Sequence, residues 1–247
     1  AGQTAREANR ATETALLGRT AEAAASERAL LLGTFGAAEG LSGSVMDVAD
    51  DPAACSRLMA AFVRQSPVVS FAGFTSRDGM QRCLSNGDTL DVTAGSGFLR
   101  MNELRAPNVM ANSSGLRSEE PVIVLRWPVV RNGEYLGYIG LSTPHRKLDE
   151  ARKFRLGRDV PDIVTFNEFG EILTLSDADA TSHPRDEARI LPRDVALSDL
   201  AGRGEQTFRA RNAEGTERVF ALMPVIPGQV YALGSWGMES ELIPSRW

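Results

Sequence analysis

Residues 121–142 read PVIVLRWPVVRNGEYLGYIGLS, two β-rich runs joined at Asn132-Gly133. Asn-Gly tolerates the positive φ angles of a two-residue hairpin turn, so residues 121–130 and 135–142 are predicted to be antiparallel neighbours. Side chains alternate across a strand. Val122, Val124 and Arg126 therefore share one face, and Ile123, Leu125 and Trp127 share the other. An arginine in such a strand must meet an anion or solvent, because burying it alone costs several kcal/mol.

Upstream lies a second hairpin. Residues 68–75 and 80–85 are predicted strands, with Asp78 and Gly79 in the tight positions between them. A helix precedes them, capped by Asp50 or Asp51 with Pro52 in its first turn, and its apolar face is Leu58, Met59, Phe62 and Val63. Before that, residues 4–46 contain no proline. Leu17, Ala21, Ala24, Leu31, Phe35, Ala38 and Val45 form a helical seam there, and Leu16, Ala23, Leu30 and Ala37 form an adjacent stripe. Two stripes suit a long helix that contacts its own domain and a second copy; a helix that only covers its own core fits the pattern equally. Between the two hairpins, residues 98–104 are a predicted short helix and residues 106–120 an irregular loop.

Downstream, residues 145–156 are a charged helix, and the order of elements then starts again. Residues 162–166 and 171–175 form a hairpin, a helix is expected near residues 192–200, and residues 206–211, 218–224 and 230–236 supply three strands. A hairpin, a helical crossover and further antiparallel strands thus occur twice. The expected fold class is α+β: a long N-terminal helix carrying two lobes, each with a central antiparallel sheet. The expected boundaries are a helix over residues 1–50, lobes over 51–156 and 157–240, and a connecting segment over 241–247.

Of the 247 residues, 43% are apolar, enough for packed cores. The formal net charge is -5, and the two signs alternate along the chain, which argues against a nucleic-acid partner. The chemistry of an enzyme is missing from the sequence. His145 and His183 are the only histidines, both expected at the surface and neither at a metal-ligand spacing with the cysteines. Gly95-Ser96-Gly97 lacks the third glycine of a dinucleotide fingerprint, and there is no P-loop or nucleophile elbow. No cofactor and no catalytic residue is expected. Asn112-Ser113-Ser114 matches a glycosylation sequon, a pattern short enough to arise by chance. The two cysteines, Cys55 and Cys83, are compatible with free thiols or one bridge.

The stretch Asp51-Pro52-Ala53-Ala54-Cys55, the helix after it, and then Asp78-Gly79 and Cys83-Leu84-Ser85 resemble the membrane-distal lobe of double Cache (tandem PAS-like) sensor domains. Asn132-Gly133-Glu134-Tyr135-Leu136-Gly137 resembles the turn between the strands that close that lobe. The resemblance implies a disulfide between Cys55 and Cys83, which would stabilise the fold by about 3.5 kcal/mol on a chain-entropy basis. It also implies a periplasmic input domain of a bacterial membrane protein, the anchors lying outside this chain, with a small-molecule ligand and a homodimer formed through the N-terminal helix. The expected output is a two-component sensor histidine kinase. A diguanylate cyclase or chemoreceptor, or a secreted interaction protein without a small ligand, are the alternatives. The family's ligand position corresponds here to residues 98–117 and the strands around Arg126 and Tyr138. The candidate ligand-binding residues are therefore Arg100, Ser113, Ser114, Arg126 and Tyr138, with Arg126 and Arg100 gripping a carboxylate. An alternative role for Arg126 is an ion pair with Glu119, Glu120 or another carboxylate at a surface edge. Residues 105–110 lack the Arg, Trp and Tyr cluster of the amino-acid-binding subgroup.

Overall fold

The computed structural model describes residues 2–112, 120–176, 187–245 and 247. The chain divides into two compact units. The central unit is Ala29–Lys147, and the terminal unit joins Ala1–Arg28 to Leu148–Trp247. Helix α1, Gly2–Val48, contributes its first part to the terminal unit and the remainder to the central one. Its most apolar 18-residue window has a mean hydropathy of 1.2, enough by composition for a membrane span. Residues of both predicted stripes are nonetheless buried within the chain's own units, Leu16, Ala23 and Ala24 in the terminal one and Leu31, Phe35, Ala38 and Val45 in the central one.

In the central unit, α2 (Pro52–Gln65) is capped by Asp51, whose carboxylate accepts from the Ala54 N–H. Strand β1 (Phe71–Ser76) then turns at Gly79, which has a φ of 83° and would press a Cβ into Thr93. The expected return strand over residues 80–85 is broken in two. Met80–Gln81 (β2) pairs with Leu90–Asp91 (β4), while Cys83–Leu84 (β3) pairs with β1. At the break, Arg82 reaches back to Asp78 at 3.1 Å. Asp78 also accepts from the Ser76 hydroxyl and the Met80 N–H, and these bonds, with Arg82, hold its carboxyl below the usual range.

Helix α3 spans Ser96–Leu104, and β6 (Val122–Arg131) and β7 (Glu134–Pro144) form the predicted hairpin. Both turn residues have positive φ, 52° at Asn132 and 79° at Gly133. Part of the expected loop over residues 106–120 is instead strand β5, Asn108–Asn112, paired along β6 from Asn108↔Arg126 to Asn112↔Val122. Its Asn, Met and Ala residues have weak intrinsic strand preference; the pairing edge of β6 is what extends them. The five-stranded sheet runs β3-β1-β7-β6-β5. One face is covered by α1 and α2, in a core containing Ala38, Leu41, Val45, Met59, Ala72, Phe74, Ile139 and Leu141. Cys55 and Cys83 lie in this core and are joined by a disulfide, with Cα atoms 5.3 Å apart.

The terminal unit repeats the plan. Helix α4 (His145–Leu156) leads to β8 (Asp162–Asn167) and β9 (Ile172–Ser176). Strands β10 (Gln206–Arg211), β11 (Glu217–Ile226) and β12 (Val230–Gly237) complete a sheet of order β10-β11-β12-β8-β9. Counted within each five-stranded sheet, both orders are 2-1-5-4-3. In place of the helix expected near residues 192–200 there are two short ones, α5 (Glu187–Ile190) and α6 (Leu197–Ala201). Pro192 has no N–H to continue a helix and sits in a β-bridge with Asn212. The segment after β12 packs back, with Ile243 buried beside Leu16, Val219 and Trp236.

Candidate ligand-binding site

The second face of the central sheet is built differently from the first. Register places Asn108, Arg126, Gly140, Gly73 and Leu84 in one row across the five strands. By alternation the same face carries Thr75, Val124, Pro128, Tyr138 and Ser142, and none of these positions is acidic. Gly140 is the floor: a Cβ there would meet only Val124, at 3.9 Å, so the middle of the face is open. Helix α3 covers one side, packing Phe98 and Met101 on Tyr138.

Arg126 is half-buried, and its guanidinium lies directly against Gly97 in the first turn of α3, where any side chain would collide with it. No side chain caps that helix, so its first-turn N–H groups add positive potential beside the guanidinium. Arg100 follows Gly97 by three residues, on the same flank of α3, and is half-buried. Asn108, 2% exposed, donates its amide to the Ala106 carbonyl at 3.2 Å and to the Met101 sulfur. Gln81 donates to the Thr75 hydroxyl at 2.9 Å. The face thus combines cationic and hydroxyl groups around an open floor, a chemistry suited to a small anion.

Among the candidate residues, Arg126 and Tyr138 share this face, and Arg100 stands on the helix beside it. Ser113, Ser114 and Glu119 lie outside the described residues, as does His183. Glu120 forms an ion pair with Arg146 at 3.3 Å. His145, expected at the surface, is half-buried at the start of α4. Asn112 of the sequon ends β5, half-buried. The sequence does not mark Gly97, Asn108 or Gly140 as site positions: the two-residue turn alone would set Ile139 opposite Arg126, and the irregularity between Val129 and Val130 moves the pairing to Gly140.

The equivalent row of the terminal unit is Gln206, Leu222, Leu233, Val164 and Leu175. Leucines occupy the positions held by Arg126 and Gly140. Above them Phe166 stacks on Tyr231, with centroids 5.7 Å apart, and Phe208 on Phe220 at 5.2 Å. Leu200 of α6 closes that core, so the face is filled. The described residues of the central unit also form concavities elsewhere. One, of about 410 Å³, lies at the β1 turn among Asp50, Asp78, Arg82 and Glu134, with Asp78 and Arg82 already paired. Another, of about 500 Å³, is an apolar groove between α1 and the end of α2. No cluster of metal-binding side chains is found among the described residues.

Two units of this topology on one long helix are the architecture of the extracellular sensory domains of histidine kinases and chemoreceptors, the double Cache fold. The extracellular domain of the candidate histidine kinase rpHK1S-Z16 has a TM-score of 0.67 at 16% identity, covering 96% of this chain and 98% of that one. The ligand-binding domain of Mlp24 with asparagine has a TM-score of 0.64 at 13% identity, covering 94% of each chain. That of the Campylobacter jejuni chemoreceptor Tlp3 in complex with L-valine has a TM-score of 0.62 at 11% identity, covering 94% of this chain and 95% of that one. At such identities the likeness is one of fold. Sequence comparison alone finds no matching family model and no matching curated protein.

Proposed function

We propose that this chain is the extracytoplasmic ligand-sensing part of a bacterial membrane signalling protein, with a small carboxylate bound on the open face of the central unit. The observation that carries the reading is the placement of Arg126, beside an open Gly140 floor and against the uncapped first turn of α3. In this reading Arg126 binds the carboxylate, Arg100 adds positive charge, and Tyr138 shapes the cavity. The terminal unit, its corresponding face filled with aromatic and leucine side chains, relays the signal without a ligand of its own.

The parent is a sensor histidine kinase anchored in the inner membrane, with this part in the periplasm and two copies joined through α1. The Cys55–Cys83 bridge agrees with an oxidising compartment. A chemoreceptor parent is the second reading, because the ligand-binding domain of the chemoreceptor Tlp3 shares the fold. The two differ in the output domain, so the sequence beyond this region in the parent separates them.

A thermal-shift panel of mono-, di- and hydroxycarboxylates and amino acids tests the site. A ligand at 100 times its Kd stabilises by about 2.7 kcal/mol, a rise of roughly 5–10 °C for a chain of this size. The rise is expected with a carboxylate and is expected to vanish in Arg126→Met. A panel without any response, or one whose response survives in Arg126→Met, refutes the assignment.

A further inference from the structure

Helix α1 is held in two different ways along its length. Within the central unit its contacts are apolar: Ala38, Leu41 and Val45 enter the core, and Phe35 lies 6.0 Å from the Trp127 ring. None of these contacts pairs a buried charge, so an axial shift there leaves no buried ion without its partner. Within the terminal unit α1 instead carries Glu27, only 1% exposed. Its carboxylate accepts from Arg152 of α4 at 2.8 Å, from the Thr165 hydroxyl of β8 at 2.8 Å and from the Thr174 hydroxyl of β9 at 3.0 Å.

Arg152 is 2% exposed, and each of its three guanidinium nitrogens donates a hydrogen bond. Besides Glu27 it donates to the Ser176 hydroxyl and, at 3.1 Å, to the Ala23 carbonyl, one turn earlier on α1. Arg152 therefore grips α1 at two levels. The residues one turn either side of Glu27 are Ala23, Ala24, Leu30 and Leu31. A slip of one turn would bring an aliphatic side chain to Arg152, Thr165 and Thr174, leaving a buried guanidinium without its carboxylate. Such a state is strongly disfavoured, whereas the intact pair adds little stability over a well-packed apolar one.

We infer that the Glu27–Arg152 pair is a register lock. It admits one axial position of α1 on the terminal sheet, so α1 and the terminal unit move as one body. Any displacement of α1 that accompanies signalling then takes place against the central unit's sheet, where its contacts are apolar. A buried polar group that selects register at little gain in stability is a known use of such groups in helical assemblies.

The native tryptophans report both contacts, because Trp236 packs with Leu16 of α1 and Trp127 with Phe35. The test is ¹⁹F NMR of the 5-fluorotryptophan-labelled chain, comparing wild type with Glu27→Met/Arg152→Met. The wild type is expected to give one sharp Trp236 line. The double variant is expected to melt within a few degrees of wild type while its Trp236 line splits or broadens and its Trp127 line stays unchanged. The single Glu27→Met, which strands the guanidinium, is expected to melt well below both. A single sharp Trp236 line in the folded double variant overturns the inference. So does a double variant that fails to fold, since the pair would then be needed for stability rather than register.

Discussion

Arg126 shows how much one position depends on neighbours without side chains. Its guanidinium occupies the space that a Cβ at Gly97 would need, and Gly140 beside it leaves the floor open. Gly97→Ala should therefore keep the helix, since alanine favours it, yet push Arg126 aside and abolish a carboxylate-induced thermal shift. Gly137 carries a different constraint. Its φ is 141°, and a Cβ would run into the Thr75 carbonyl, which is backbone and cannot give way. Gly137→Ala is expected to cost roughly 2–3 kcal/mol in urea unfolding. Tyr135 titrates late: burial, with a smaller push from Tyr138, moves its phenol up to about 12 despite Arg105 above the ring at 4.7 Å. Because the folded value exceeds the ordinary 10.0, the neutral phenol's contribution is complete below pH 10 and is lost as pH rises towards 12. Spectrophotometric titration, compared with Tyr135→Phe, should show this alkaline step, and the variant should lack it.

At the level of elements, the disulfide ties α2 to the sheet across 28 residues of chain. Loop-closure entropy makes its removal worth about 3.5 kcal/mol, so Cys55→Ala/Cys83→Ala should lower Tm by roughly 10 °C. A differential scanning calorimetry difference of under a degree or two would show that the reduced chain is already constrained there. Strand β5 is an element that local sequence hides. Asn108 and Asn112 at its ends are turn-forming residues, and only the pairing with β6 extends them. The break at Arg82 has a similar origin, because an ion pair to Asp78 and the short β4 compete with β1 for the returning chain.

Across the whole molecule, one strand order occurs twice with opposite use of the same face. In the central unit the row through Arg126 is polar and open, while in the terminal unit the row through Leu222 and Leu233 is apolar and covered. If two copies join through the central unit's part of α1, they use the side that its core leaves bare. There Leu32 is 41% exposed, and a Cβ added at Gly33, Gly36, Gly40 or Gly43 would meet nothing within 4 Å. Sedimentation velocity should then show a concentration-dependent dimer, and Leu32→Asp should leave a monomer with an unchanged Tm. A monomer at all concentrations in the wild type would remove α1 from consideration as a dimer face in this chain.

The sequence by itself determined the elements whose signal is local. Asn132-Gly133 set a hairpin because of its tolerance of positive φ, Asp51 and Pro52 began α2, and the repeated order of hairpin and strands announced two lobes of one plan. Alternation alone placed Arg126 on the face opposite Ile123 and Leu125. Tertiary structure decided what depends on contacts between distant residues. It brought Gly97 to Arg126, set Gly140 as an open floor, filled the equivalent face of the other unit, and joined Glu27 to Arg152 across 125 residues of chain. None of these leaves a periodic trace in sequence, because each depends on which atoms meet after the sheets have formed.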